Sequence, residues 1–229
     1  MRFRTWAAAA VLFVLAALPL RAADNPYSVK VVDKTEPPKE VSEPIRKLLG
    51  DRCVQLLDAK GGVLAEVWFC KALPAKATDA QIKNGLTYRE VPETTVFGAI
   101  RFPKQAIDYR KQKIPAGVYT LRLAYQPMDG DHMGTAPYGE FCLLSPAADD
   151  KKAATMEAKA LHEMSAKTTN GHPGVLLLFP GGKDAGDTPK LLGKPENHWV
   201  LEWKQEVEVD GKKASINIGL VLIGVSSQA

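Results

Sequence analysis

Trp199-Val200-Leu201-Glu202-Trp203-Lys204-Gln205-Glu206-Val207-Glu208-Val209 alternates apolar and polar residues along its length. Side chains two apart share a face of an extended chain, so Trp199, Leu201, Trp203, Val207 and Val209 fall on one side. Glu202, Lys204, Glu206 and Glu208 fall on the other. That is a strand with one wet face. Asp210-Gly211 follows, a pair suited to the positive φ angles of a tight hairpin turn. Beyond it, Ile216, Ile218, Leu220 and Leu222 repeat the period of two. The C-terminal quarter therefore reads as a long β-hairpin.

Working outward, the same signals recur. Residues 174–179 read as an apolar strand after Pro173, and residues 140–144 as another strand. Residues 118–126 follow Pro115-Ala116-Gly117 and place Tyr119, Leu121, Leu123 and Tyr125 on one face. Residues 95–102 and 27–33 also read as strands. Residues 180–197 carry three prolines and four glycines and read as a surface loop. Residues 71–93 read as a long connection. Two segments read as helix. Residues 149–168 are rich in Ala, Lys, Glu and Met, with Asn170-Gly171 as a stop. Residues 41–49 have Ser42 as a cap, Pro44 in the first turn and Gly50 as an end. Eight or nine strands with turn signals and one inserted helix predict a mostly-β fold. An antiparallel β-sandwich is the expectation, with a barrel as its alternative.

The N-terminus predicts export. Arg2 and Arg4 precede an apolar run over residues 6–18, and Arg21-Ala22-Ala23 supplies small residues for cleavage. The run is shorter than the roughly 20 residues a membrane span needs. Residues 1–22 read as a signal peptide. Residues 23–229 read as one β domain with an N-terminal extension to about residue 52. Removing Arg2, Arg4 and Arg21 takes the formal charge from +4 to +1. The basic character thus belongs to the signal and gives no case for nucleic-acid binding. The mature chain is expected to be periplasmic or extracellular, with no membrane span.

Cys53, Cys70 and Cys142 remain in a chain bound for an oxidising compartment, where one disulfide is the default. Asp58-Ala59-Lys60-Gly61-Gly62 separates two apolar runs, a hairpin signature. A two-residue turn at Gly61-Gly62 would pair Lys60 with Val63. Seven steps outward, Cys53 would lie opposite Cys70 in a non-hydrogen-bonded pair, about 4.5 Å apart at Cα. The same register puts Val54, Leu56, Ala65, Val67 and Phe69 on a core face. Cys53, Gln55, Glu66, Trp68 and Cys70 take the wetter one. A Cys53–Cys70 disulfide beside an exposed Trp68 is the expectation, with a longer loop at 58–62 or a bridge to Cys142 as rivals.

Catalytic signatures fail on inspection. His162-Glu163-Met164-Ser165-Ala166 begins like H-E-x-x-H, yet Ala166 stands where the second zinc ligand belongs. Gly181-Gly182-Lys183 is followed by Asp184, whose charge would repel a phosphate. Cys142, in Phe141-Cys142-Leu143-Leu144, reads as a buried small hydrophobe rather than a nucleophile. Asp129-Gly130-Asp131-His132-Met133-Gly134 sets two carboxylates and an imidazole within four residues. That group could hold a divalent metal or grip a polar ligand, and aspartates also favour plain turns. His172 and His198 adjoin strands and are further candidates to join Asp129, Asp131 and His132. Trp68, Trp199, Trp203, Tyr119 and Tyr125 are the aromatics available for a sugar platform. Trp199 and Trp203 share the apolar face of their strand and read as core.

Three segments carry a resemblance. They are Val67-Trp68-Phe69-Cys70-Lys71, then Asp108-Tyr109-Arg110 with Ile114-Pro115-Ala116-Gly117-Val118-Tyr119-Thr120-Leu121-Arg122, and Asp129-Gly130-Asp131-His132-Met133-Gly134. Together they resemble an uncharacterised family of secreted bacterial proteins of planctomycete and acidobacterial type. The resemblance covers roughly residues 60–180 and implies an exported β-rich fold. It implies no catalytic residues. Two functional expectations stand beside each other. The first is a non-catalytic extracytoplasmic module that binds a ligand, a glycan or an envelope protein. The second is a metal-assisted enzyme built on Asp129, Asp131 and His132. The missing motifs favour the first.

Overall fold

The computed structural model describes residues 25–127, 136–169 and 171–227. Its strands are β1 (Tyr27–Val32), β2 (Leu49–Asp58), β3 (Val63–Cys70), β4 (Leu73–Pro74), β5 (Val96–Phe102), β6 (Ala106–Ile107) and β7 (Lys113–Ile114). The chain continues with β8 (Gly117–Tyr125), β9 (Glu140–Pro146), β10 (Gly174–Pro180), β11 (Lys190–Lys194), β12 (His198–Val209) and β13 (Lys212–Ile223). Short helices α1 (Glu43–Arg46), α2 (Asp79–Asn84) and α3 (Ala158–Ala166) interrupt them. The fold is mostly β, as the alternation predicts.

The main strands hydrogen-bond in the order β1-β2-β3-β5-β8-β9-β10-β13-β12-β11, with antiparallel neighbours throughout. β10 is the corner. Its residues 174–177 pair with β9, and its residues 178–180 pair with β13. One strand serving two directions lets a continuous ladder bend into two facing halves. The facing is direct: the Phe69 ring on β3 stacks on Trp203 of β12 at 3.8 Å, and Tyr27 of β1 meets Trp199 edge-on at 5.4 Å. Tyr119, Leu121 and Leu123 from one half and Leu201, Trp203, Val207 and Val209 from the other share a single core. The expected N-terminal extension contributes β1, which pairs along β2 from Tyr27↔Asp58 to Val32↔Cys53.

A second apolar layer lies on the outer side of the corner. Leu161 of α3 packs there with Ala124, Leu143, Leu177 and Val200. Strands covered on both faces read as unbroken apolar runs, which accounts for Leu143-Leu144 and 175–178. Ser165 fastens α3 to the sheet: its hydroxyl donates to Leu144 O at 2.6 Å and accepts from Gly174 N at 3.1 Å.

The predicted helix over 149–168 is corrected to Ala158–Ala166. The cause is Arg122. Its side chain is fully buried on the outer face of β8 and needs partners for five N–H groups. Asp150 takes two, at 2.7 and 2.8 Å. Thr94 O, Ala154 O and Lys152 O take the others. A guanidinium holding the carbonyls of residues 152 and 154 keeps that stretch from closing a helical turn. The predicted helix over 41–49 is likewise corrected to Glu43–Arg46. Leu49 is drawn into the sheet opposite Cys70, and Ser42 makes no side-chain cap bond. Within the loop expected at 180–197, residues 190–194 form β11 against β12.

The expected disulfide is also corrected. All three cysteines are free and buried. The β2–β3 turn is the longer rival: Gly61 N donates to Asp58 O, Asp58 N donates to Gly62 O, and Gly61 sits at φ 79°. That is a type I turn closed by a left-handed glycine. Asp58 secures it by accepting from Lys60 N and Gly62 N at 2.8 Å each. A further shift next to Leu57 leaves Val54 opposite Val67 and Cys53 opposite Trp68. The chain has slipped by two residues from the expected pairing, which preserves every face and separates the two cysteines.

Candidate cleft between the sheet halves

Between Cys53↔Trp68 and Leu49↔Cys70, β2 spends Gly50, Asp51 and Arg52 against Phe69 alone. Extra residues on one strand bend it and aim its side chains away from the ladder. Thr35 N holds the bulge by donating to Asp51 O at 2.7 Å. The bend leaves a cleft of about 570 Å³ between β2–β3 and β12–β13. Phe69 and Trp203 form its apolar floor. Trp203 Nε1 donates to Gln205 Oε1 at 3.0 Å, and Gln205 Nε2 donates to Cys70 O at 3.0 Å, so the two halves are tied behind the floor.

The rim is charged. Arg52, Lys71, Lys204 and Lys213 line the cleft together with Asp51, Asp187 and Glu206. Lys213 is paired with Glu206 at 3.1 Å. Lys71 Nζ donates to Lys47 O at 3.1 Å, and Arg52 Nη2 donates to Asp187 O at 3.2 Å. An apolar floor with a few converging polar groups is the usual make-up of a ligand site.

The sequence candidates are placed as follows. His172 is exposed just before β10. His198 opens β12, is 3% exposed, and lies between the Tyr109 and Phe179 rings at 5.7 Å from each. Its Nδ1 is 2.9 Å from Pro195 O, and Nε2 is buried without a partner among the described residues. The turn before it holds Glu196 and Asn197 at φ 58° and 57°, left-handed geometry uncommon for non-glycine residues. Asp129, Asp131 and His132 lie outside the described residues, as do residues 1–22, the expected signal peptide. Among the described residues no three His, Cys, Asp or Glu side chains form a group that could hold a metal. Burial pushes the Cys53 and Cys70 thiols up to about 12 and raises Cys142 as well, so none is an activated nucleophile.

The sugar platform is corrected. Trp68, expected on a wet face, is 2% exposed and donates from Nε1 to Thr35 O at 3.2 Å. Trp199, Trp203 and Tyr119 are buried too. Tyr125 is half-buried, with the Arg89 guanidinium 4.5 Å above its ring. Phe69, on the predicted core face, is the half-buried aromatic that faces the cleft. Alternation marks it as inward-pointing. Nothing local says that the space across from it stays open.

The class the fold and cleft define is a mostly-β protein with one curled sheet, antiparallel but for the short β4 strand parallel to β12, and an open groove between its halves. No helix among the described residues is long and apolar enough to cross a membrane. Comparison with protein-family models, with curated proteins and with solved structures returns no match.

Proposed function

We propose that this chain is an exported, non-catalytic binding module whose ligand is an extended glycan seated in the cleft. The observation that carries the reading is the half-buried Phe69 ring, backed by Trp203 and surrounded by polar side chains that reach from both halves. Aromatic faces accept the C–H faces of sugar rings, and a flanking polar rim serves their hydroxyls. Export rests on the N-terminal pattern and on the resemblance to secreted bacterial proteins.

The test is a glycan array probed with the labelled mature protein, followed by calorimetry on Phe69→Ala and Lys204→Ala. Binding of an extended glycan that both variants weaken supports the reading. Lys204 is exposed, so its variant separates lost binding from lost folding. An array without any bound glycan, or binding indifferent to both variants, overturns it.

A further inference from the structure

We infer that the glycan carries an acidic group, that Arg52 recognises it, and that residues 181–189 form a strap which Arg52 latches across the cleft in the ligand-free protein. The inference rests on the cleft as the binding site. Its starting point is how unevenly the strap is fastened. On the β12–β13 side it is held closely. Gly181 lies so near the Asn217 backbone that a Cβ would come within 2.2 Å of the Asn217 carbonyl carbon. Asn217 Nδ2 donates to Gly182 O at 2.9 Å, and Lys204 N donates to Gly186 O at 2.8 Å. On the β2 side, among the described residues, the strap is held by Arg52 Nη2 on Asp187 O alone, at 3.2 Å and exposed to solvent.

That latch is a poor use of a guanidinium. Arg52 has five donors in a planar fork, and one neutral carbonyl uses a single donor. A carboxylate takes two, in charge-assisted bonds roughly twice as strong as neutral ones. The cations around it leave room for such a group. Lys71 bonds to a carbonyl, and no partner is seen for the exposed Lys204 side chain among the described residues. The strap brings the Lys204 backbone N–H and the Arg52 guanidinium onto its adjacent carbonyls at Gly186 and Asp187, so the two halves meet at one point of the strap, with the Lys204 side chain on the same cleft. Asp51 and Asp187 stand on the same rim, and with Lys213 neutralised by Glu206 one cation remains in surplus. An acidic sugar would draw Arg52 off Asp187 O, free the strap on the β2 side, and lie along Phe69.

The experiment compares tetragalacturonate with its methyl ester, which has the same chain without the charge. Calorimetry is run on the wild type, Arg52→Ala and Arg52→Lys, with hydrogen exchange across residues 181–189. The expected result has three parts. The acid binds about tenfold or more tighter than the ester. Arg52→Ala abolishes that preference while Arg52→Lys keeps part of it. Arg52→Ala also speeds exchange in the strap of the free protein without changing β12 or β13. Equal affinity for acid and ester, a preference that survives Arg52→Ala, or unchanged strap exchange overturns the inference. Tighter binding of tetraglutamate than of tetragalacturonate would overturn it in favour of an acidic peptide. A neutral glycan that binds and depends on Phe69 would overturn the acid specificity and leave the cleft reading intact.

Discussion

The Tyr88 hydroxyl accepts the Gly219 N–H at 2.9 Å. It also donates to Phe179 O at 2.6 Å, and Phe179 and Gly219 stand directly opposite each other where β10 meets β13. A side chain from the 71–93 connection thus completes the ladder at the corner of the sheet, from a position 6% exposed. Burial raises the phenol well above its ordinary value, so it keeps its proton at any working pH. Tyr88→Phe leaves a buried N–H and C=O without that partner. The expected loss is about 1–3 kcal/mol in urea unfolding. No change in midpoint would show that the corner holds without the hydroxyl.

Asp150→Ala strands a buried guanidinium, and a loss of about 3–5 kcal/mol is expected by the same measurement. Arg122→Met with Asp150→Leu removes both charges. It should recover part of the loss, because Thr94 O, Lys152 O and Ala154 O still lose their donor. Full recovery would mean that the three carbonyls find other partners.

The cysteines give a chemical test of the β2–β3 register. With burial pushing both thiols up to about 12, Cys53 and Cys70 stay protonated at pH 8. Raising the pKa favours the neutral thiol at every pH below that value, so alkylation should stay slow until strongly alkaline pH or unfolding. In denaturant without reductant three thiols should titrate. A single reactive thiol would show that two of the three cysteines are bridged, and peptide mapping that found Cys53 joined to Cys70 would restore the expected register.

Gly98 of β5 stands opposite Phe69 of β3, so close to that strand that a Cβ would fall 2.3 Å from Trp68 O. Backbone cannot yield as a side-chain tip can. Gly98→Ala is expected to cost about 1–3 kcal/mol or more, with the indole fluorescence shifted as Trp68 moves. A variant as stable as the parent would place Gly98 in open space.

The cleft was only half legible in the sequence. Alternation turned Phe69 and Trp203 inward, but they lie 134 positions apart and no local pattern says which inward residues will stack. The bulge at Gly50-Asp51-Arg52 was hidden because Gly50 also reads as the end of a helix. His198 is a candidate ligand by sequence, and the fold sets it between two aromatic rings, a placement that no local pattern indicates.

Local chemistry by itself determined the strands, their inward faces and the Asp210-Gly211 hairpin, whose β12–β13 pairing runs from Val209↔Lys212 outward. These depend on alternation and turn geometry, which neighbouring residues settle among themselves. Only the tertiary structure decided the β2–β3 register. A slip of two residues keeps each side chain on its face, so Val54 and Leu56 point into the core in either pairing and burial alone cannot choose. Only the tertiary structure decided where α3 begins, because Arg122 competes for carbonyls that helix propensity would have used internally. It also decided that β10 turns a corner, since that requires β9 and β13 to reach one strand from opposite ends of the sheet.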